Sequence, residues 1–321
     1  MSRSVSLVLP ALDTRELLEA NLPALLAECD RRGLDDEVLV VDDTGTGSLA
    51  AWLAERFPRV RTVTRDTNGG FARALTSGVE AARHAVVFSL NTDVRVRPGC
   101  LDALVERLED PTVLAVSPRV LLDGREDAVE SWTHVGWREG EVRLERPDAS
   151  RATEPEGTHA VPFGVGGTLA FRRDEFLDDG FDPLFEPFYL EDVDWCWSGW
   201  ARGRTVLVEP TAVVEHHHRG TIGARVDRAV VRAAIERNKL LFTWKHLDDP
   251  ELLEEHLRAL ARKASNAWIS EERDELIWLL LALEERAAAV RARAGRSPAA
   301  RSFSEVLERS EADGRRPDDA P

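Results

Sequence analysis

Short apolar runs alternate with helical segments through the first third of the chain, and this alternation constrains the fold more than any other feature. The apolar runs have the length and composition of buried strands and cover Val5–Leu9, Glu37–Val41, Val60–Thr64 and Ala85–Leu90. Helical periodicity or helix-start signals fill the intervals, at 14–29, 49–56 and 71–83. Strands that alternate with helices form parallel sheets with crossover connections, so the pattern predicts an α/β fold.

Polar or turn residues follow three of these strands. Pro10 ends the first strand, Asp42 and Asp43 follow the second, and Asn91 and Asp93 follow the fourth. Ligands of parallel sheets bind at the carboxyl ends of the strands. We therefore predict that these residues line one ligand site.

The acids at the strand ends suit a nucleotide and a metal. A carboxylate at Asp42 or Asp43 can accept the ring N–H of uracil or thymine, although acids here also cap helices and turns. A carboxylate at Asp93 can hold a divalent cation against a diphosphate, although Asn and Asp are equally typical of a turn. The histidines at 216–218 follow two short predicted strands, and one of them can complete the metal shell.

A glycine turn precedes the third helix. Asn68 and Gly70 lie in this turn, and Arg73 on the helix can reach a phosphate group. The alternative is a plain turn followed by a solvent-facing arginine.

An acidic segment lies between aromatic residues in the second half of the chain. Glu191 and Asp192 stand between Tyr189 and a tryptophan-rich stretch that begins at Trp195. Aromatic faces can line a sugar-binding cleft, and a carboxylate in such a cleft can act as a general base. The helix dipole also favours acids in a first helical turn. Three acids within 191–194, placed before tryptophans, favour the functional interpretation.

Charge and composition exclude some partners. The formal net charge is -16, which makes nucleic acid an unexpected partner and anionic lipid a poor one. Lysine occurs only at Lys239, Lys245 and Lys263, so the acidic surface resembles an adaptation to high salt, although a GC-rich genome would give the same arginine bias. Three widely spaced cysteines indicate neither disulfides nor a zinc site. With no leader-like start and no apolar run that would span a bilayer, we expect a cytoplasmic protein.

The second half of the chain is less regular. It predicts a strand at 113–117, a surface loop or hairpin at 136–155, and short strands at 206–208 and 212–214. We divide the chain into a catalytic domain at 1–225, with halves 1–112 and 113–225, a helical region at 226–295, and a disordered tail at 296–321. The two helical segments expected at 227–247 and 251–294 can pack on the catalytic domain, on a second copy, or on a membrane; core packing is favoured because basic anchors are sparse.

In their order along the chain, these motifs resemble the family 2 glycosyltransferases of the GT-A fold, particularly the rhamnosyltransferase-like branch. The resemblance covers 4–221 and is carried jointly by the segments already named and by the glycine turn of Gly166 and Gly167. It implies a mostly parallel central sheet flanked by helices, with a C-terminal helical extension. It also implies an inverting transfer of sugar from a nucleoside-diphosphate donor to a glycan or lipid-linked acceptor, with Mg²⁺ or Mn²⁺ as cofactor.

The resemblance also implies roles for individual residues. Asp192 is expected to be the catalytic base with Glu191 in support, and Asp93 and His216 are expected to bind the metal. The residues expected to bind the donor are Pro10, Asp42, Asp43, Asn68, Gly70, Arg73 and Asn91. Those expected to bind the acceptor are Gly166, Gly167, Tyr189 and Trp195.

Departures from the family pattern keep another interpretation open. Thr76 replaces a usual Asn, Ser198 replaces a frequent Arg, and Asn91 removes one carboxylate from the metal motif. A non-catalytic relative that binds a nucleotide or glycan is therefore the alternative, although the acids at Glu191 and Asp192 argue against it. A sugar nucleotidyltransferase would need a glycine-rich basic loop near its N-terminus, and Pro10–Asp13 has no such loop.

Overall fold

A mixed β-sheet forms the centre of the computed structural model, which describes residues 3–145, 156–217, 226–270, 276–294 and 300–312. Within these ranges the strand order is β3-β2-β1-β4-β10-β6-β11-β5, β9 pairs with β11, and β7 and β8 form a separate hairpin. The strands are β1 Val5–Ala11, β2 Glu37–Asp42, β3 Arg61–Thr64, β4 Val86–Leu90, β5 Val94–Val96, β6 Val113–Leu122, β7 His134–Arg138, β8 Glu141–Glu145, β9 His159–Ala160, β10 Thr168–Arg172 and β11 Thr205–His216.

Helices connect these strands and extend the chain beyond the last of them. They are α1 Arg15–Arg32, α2 Ser48–Arg56, α3 Gly70–Ala81, α4 Cys100–Arg107, α5 Arg173–Asp179, α6 Glu191–Ala201, α7 Arg228–His246, α8 Pro250–Ile269, α9 Ile277–Ala294 and α10 Phe303–Ala312. A 3₁₀ turn, Pro183–Phe185, precedes α6. None of the described helices is long and apolar enough to cross a membrane.

The first half of the chain forms the parallel part of the sheet. Strand β1 pairs in parallel with β2 and β4, and β2 pairs in parallel with β3. Alternate side chains enter two different cores, because successive residues of a strand point to opposite faces. Val8 packs in the core that includes Leu75 of α3, and Leu7 packs in the core that includes Leu18 of α1. This arrangement confirms the predicted α/β architecture.

The second half of the chain adds antiparallel strands to the sheet. Strand β10 runs antiparallel to both β4 and β6, whereas β11 runs parallel to β6. The two short strands expected at 206–208 and 212–214 are parts of the single strand β11, whose pairing with β6 is irregular between Glu209 and Val213. At its far end β11 pairs with β5, which places His216 opposite Val94.

The region expected as a loop or hairpin at 136–155 begins as a hairpin, β7–β8, and its remainder from 146 lies outside the described residues. The hairpin packs on the C-terminal helices. Trp137 donates from Nε1 to Glu255 at 2.8 Å, and its ring lies 5.8 Å from that of Phe303. The segment expected as one helix at 251–294 is divided into α8 and α9.

The prediction that 296–321 is disordered was wrong for the residues of α10. Phe303 and Val306 are buried in the main core, which offsets the entropy lost on ordering the segment. Asp248 accepts a hydrogen bond from the Phe303 amide at 2.9 Å. Phe303, Val306 and Leu307 have helical spacing, but the polar composition of the surrounding stretch led to a prediction of disorder.

Candidate functional site

The loop after β4 and the loop before β10 meet where the predicted ligand site lies. The Asn91 amide donates to the Gly167 carbonyl at 2.8 Å. A Cβ at Gly167 would lie 2.2 Å from Nδ2 of Asn91, so the close approach requires glycine at this position. The structure therefore brings an expected donor residue and an expected acceptor residue into contact.

Asp42 is fully buried and serves the fold. Its Oδ2 accepts from the amides of Leu49 and Ala50 at 3.0 and 3.2 Å, and its Oδ1 accepts from Thr44. These bonds satisfy amides at the start of α2, as a capping acid does. The sequence was also compatible with a helix-capping role for Asp42, and the observed hydrogen bonds agree with that role. Pro10 lies in β1 opposite Val41, at the same edge of the sheet.

Asp43 organises the glycine turn before α3. Its Oδ1 accepts from the Gly69 amide at 3.0 Å and its Oδ2 from the Gly70 amide at 2.9 Å, while Arg65 donates to Oδ1 at 2.8 Å. The side chain of Asn68 also accepts from the Gly70 amide, at 3.0 Å. Gly70 has a φ of 77°, which favours glycine. Asp43, Asn68 and Gly70 thus form one hydrogen-bonded unit at the strand ends.

Arg73 connects this turn to the loop that precedes α6. Its Nε and Nη2 each lie 2.6 Å from a carboxylate oxygen of Glu186. The arginine side chain is 58% exposed, so this bidentate pair lies at the surface. A phosphate group would have to compete with Glu186 for the guanidinium.

Asp93 and His216 face each other in a buried position. His216 Nε2 lies 3.4 Å from Asp93 Oδ1, and its Nδ1 lies 2.7 Å from Glu130 Oε2. Burial opposes the positive charge of the imidazole, but the two acids outweigh it and raise the pKa of His216 to about 9. His217 contributes its amide to the Asp93 carbonyl at 3.1 Å, and His218 lies outside the described residues.

The pair of Asp93 and His216 could hold a divalent cation once the imidazole, whose charged form the two acids favour, releases its proton. Two ligands that each lie about 2.1 Å from one ion are separated by roughly 3.0–3.4 Å, which agrees with the observed 3.4 Å. Among the described residues no group of three or more His, Cys, Asp or Glu side chains has a metal-binding arrangement.

The two acids at the start of α6 have different environments. Glu191 is 7% exposed, and within the described residues its Oε2 has no hydrogen-bond partner. Burial, and then the negative charge of Asp192, raise the pKa of Glu191. Asp192 is half-buried, and its carboxylate accepts from the Gly166 amide at 2.9 Å and from the Val193 amide at 2.8 Å. The amino end of a helix favours a negative charge on a carboxylate, whereas burial favours the protonated form of Glu191.

Of the two aromatic residues expected to contact an acceptor, one is accessible. Tyr189 is 36% exposed. Trp195 is 1% exposed, and its ring packs 5.3 Å from Phe171 and 5.5 Å from Phe176. The expectation that Trp195 contacts an acceptor was therefore wrong, because the ring belongs to the core. Helix α6 begins with acids near the site, but its next turn points into the core. Residue composition alone does not show this change.

The family assignment follows from the sequence of the sheet-forming half. The profile described as Glycosyl transferase family 2 matches residues 6–178, more than half of the chain. The chain belongs to glycosyltransferase family 2. The match includes β2, β3, β4 and all but the first residue of β1, together with the residues at the carboxyl ends of these strands.

Curated relatives agree with this assignment. The chain is 30% identical over 229 residues to the pre-mycofactocin glycosyltransferase of Mycobacterium tuberculosis, covering 68% of this chain and 43% of the relative. It is 32% identical over 240 residues to the succinoglycan biosynthesis protein ExoO of Rhizobium meliloti, covering 70% of this chain and 63% of the relative. The chain thus spans less than two-thirds of the length of either protein.

Solved structures confirm the GT-A fold. GalNAc-T7, solved with UDP, GalNAc and Mn²⁺, has a TM-score of 0.60 at 17% identity, covering 77% of this chain and 48% of that one. The mannosyltransferase PcManGT from Pyrobaculum calidifontis, solved with GDP-Man and Mn²⁺, has a TM-score of 0.53 at 20% identity, covering 92% and 86%. The rhamnosyltransferase-like branch stays a prediction.

Four residues that contact the site residues or the segment around α6 were not predicted from the sequence. Glu130 orients His216, and Asn238, Lys245 and His246 of α7 contact the segment around α6. The sequence signal was weak for all four. The polar residues Asn238 and Lys245 interrupt an apolar helical segment, and such interruptions can indicate buried polar contacts.

Proposed function

We propose that this chain is an inverting glycosyltransferase, which moves a sugar from a nucleoside-diphosphate donor to a hydroxyl group of a glycan or lipid-linked acceptor. The observation that carries the proposal is the position of the Asp192 carboxylate. It lies half-buried at the start of α6, 2.9 Å from the Gly166 amide. Gly166 leads directly to Gly167, which contacts Asn91 on the donor side.

Asp192 suits the role of general base better than Glu191 does. A base must be ionised and accessible to the hydroxyl group that it deprotonates. Asp192 is half-buried and its carboxylate accepts two amide hydrogen bonds, whereas burial favours the protonated form of Glu191. In the proposed step the acceptor proton passes to Asp192, and the acceptor oxygen bonds to the anomeric carbon. The bond from that carbon to the diphosphate oxygen breaks, and the nucleoside diphosphate departs.

The donor would lie across the carboxyl ends of the parallel strands. We assign its binding to the unit of Asp43, Asn68 and Gly70, together with Pro10, Arg73 and Asn91. Asp42 would support this site indirectly, by accepting hydrogen bonds from amides at the start of α2. Asp93 and His216 would hold a divalent cation, Mg²⁺ or Mn²⁺, which when bound stabilises the negative charge of the leaving diphosphate. The Mn²⁺ named with both structural neighbours supports this assignment.

The acceptor would lie against Tyr189 and the glycine pair of Gly166 and Gly167. The likeness to a protein named for succinoglycan biosynthesis supports an acceptor from cell-surface polysaccharide synthesis. Such a role places the protein in the cytoplasm, at the inner face of the membrane where lipid-linked acceptors are built. Contacts of the C-terminal helices with a membrane or a second copy stay predictions.

A donor panel with a base-deficient variant tests the proposal. UDP-, dTDP- and GDP-sugars are incubated with Mn²⁺ and mixed acceptors, and release of nucleoside diphosphate is measured. Asp192→Asn should lower kcat by about 10²–10⁴-fold, the usual contribution of a general base. Asp178→Asn, the same change at an exposed residue, serves as the control. Normal turnover by Asp192→Asn would refute the assigned role. Nucleotide binding without turnover by wild type across the panel would favour the non-catalytic alternative.

A further inference from the structure

Helix α7 holds the segment that carries the proposed catalytic base. The segment runs from Asp182 through the 3₁₀ turn and Glu186–Leu190 to the first turn of α6, and we call it the base segment (182–194). Polar side chains of α7 contact it at both ends and in the middle. The family profile ends at residue 178, so it covers neither the base segment nor α7.

Asn238 makes the contact in the middle of the base segment. Its side chain is completely buried, and its Nδ2 donates to the carbonyls of Phe185, Phe188 and Tyr189 at 2.9, 3.1 and 2.8 Å. Arg237 donates to Asn238 Oδ1 at 2.6 Å, which fixes the orientation of the amide. All the polar atoms of this side chain are therefore engaged, and the donors are directed to one loop.

The base segment needs such support because its backbone is strained. Tyr189 and Leu190 have φ values of 72° and 71°, in the left-handed region that side chains other than glycine rarely adopt. Leu190 is also the N-cap residue that precedes α6, and its carbonyl accepts from the Asp194 amide at 2.9 Å. A relaxation of these two residues would rotate the first turn of α6, which carries Asp192.

Lys245 and His246 make the contacts at the ends. Lys245 Nζ lies 2.6 Å from Asp182 Oδ2 and 2.7 Å from Asp194 Oδ2, and His246 Nε2 lies 2.7 Å from Asp194 Oδ1. Lys245 and Asp194 are buried, with side chains 6% and 3% exposed. One cation thus joins the first and last residues of the base segment.

Buried ion pairs of this kind add little stability over an apolar packing of the same volume, because desolvation offsets their attraction. Their directional contacts instead fix the position of the base segment relative to α7. We propose that α7 is a positioning element for the reaction, and that Asn238 and Lys245 keep the Asp192 carboxylate at the Gly166 amide. The proposal rests on the assignment of Asp192 as the base. It adds positioning residues from the C-terminal region.

Hydrogen exchange and kinetics on matched variants test the proposal. Asn238→Leu keeps the side-chain volume and removes the donors, and Lys245→Met keeps an unbranched chain and removes the terminal ammonium group. Thr243→Val is the control on the same helix, since the Thr243 hydroxyl is buried and donates to the Lys239 carbonyl of α7 itself. Lys245→Arg retains the cation and should recover much of the activity that Lys245→Met loses.

The expected result separates position from folding. Amide exchange in 185–194 should rise at least tenfold more than exchange in β1 and β2 in Asn238→Leu and Lys245→Met, because the loss of one buried partner also lowers the stability of the whole fold. Calorimetry with nucleoside diphosphate and Mn²⁺ should give a Kd within threefold of wild type and an unchanged number of sites. Turnover per nucleotide-binding site should fall about 10–100-fold at saturating donor, with the KM for donor little changed. Should Asn238→Leu not fold, Lys245→Met provides the same comparison.

Two results would overturn the proposal. One is exchange in 185–194 that matches the Thr243→Val control in both variants. The other is raised exchange with normal turnover per site. Failure of the proposed function is distinguishable, because it would appear as absent transfer by wild type or as normal transfer by Asp192→Asn. In that event the exchange measurement still decides whether α7 holds the base segment.

Discussion

Replacement of Gly78 by alanine sets two physical effects against each other. Gly78 lies within α3, where alanine would stabilise an exposed helix by about 1 kcal/mol over glycine. A Cβ at this position, however, would lie 2.3 Å from Cγ1 of Val8 and 2.8 Å from Cγ2 of Val41. Both valines are completely buried in strands of the sheet, so they have no space to move into.

The steric effect should win. Overpacking of a close-packed core costs about 1–3 kcal/mol, and stiff β-branched neighbours favour the upper part of that range. After subtraction of the helix-propensity gain, Gly78→Ala should lower the free energy of unfolding by about 1–2 kcal/mol. Because α3 begins at the Gly70 turn, a displaced helix should also weaken nucleotide binding.

Urea unfolding measures this effect. Thr76→Ala on the same helix is the control, because the Thr76 hydroxyl bonds to the Ala72 carbonyl of α3 itself, at 2.9 Å. Val8→Ala makes room for the new methyl group, so the double variant Val8→Ala with Gly78→Ala should be more stable than the sum of the two single effects. A Gly78→Ala variant as stable as wild type, or more stable, would refute the reasoning.

Three further predictions concern the site. Trp195→Ala should destabilise the protein by about 3–5 kcal/mol in urea unfolding, as expected for a core tryptophan; a loss of activity with unchanged stability would contradict the core assignment. The raised pKa of Glu191 means that folding binds a proton, so wild type should lose stability as pH rises above about 5. Glu191→Gln has no such proton and should gain stability relative to wild type over the same range. Thermal melts of both proteins from pH 5 to 8 that stay parallel would exclude this. Asp93→Asn should weaken nucleoside-diphosphate binding at least tenfold with Mn²⁺ and less than twofold without metal, measured by calorimetry; equal losses in both conditions would argue against a metal at Asp93.

The parallel half of the fold could be predicted from the sequence. Its strands are short, apolar and separated by helices, which favours parallel pairing through crossover connections. The acids after β2 and β4 were correctly placed at the edge of the sheet. What each acid does there depends on which amides come near, and Asp42 and Asp43 illustrate this. They are adjacent in sequence, yet one caps α2 and the other holds the turn at Gly69 and Gly70.

Long-range contacts limited the prediction of the second half. The antiparallel direction of β10 and the continuity of β11 arise from pairing between distant segments, which local patterns do not encode. The same limit applies to Trp195, whose burial depends on Phe171 and Phe176. It also applies to α10, which is ordered by contacts with Trp137 and Asp248.

The anomeric configuration of the released sugar tests the central claim most directly. With a donor that the panel identifies, proton NMR follows the sugar transferred to acceptor or to water before the free sugar equilibrates. A single displacement assisted by Asp192 predicts a product with the configuration opposite to that of the donor. A product that retains the donor configuration would contradict the account, because it would require a second displacement or a different reacting group.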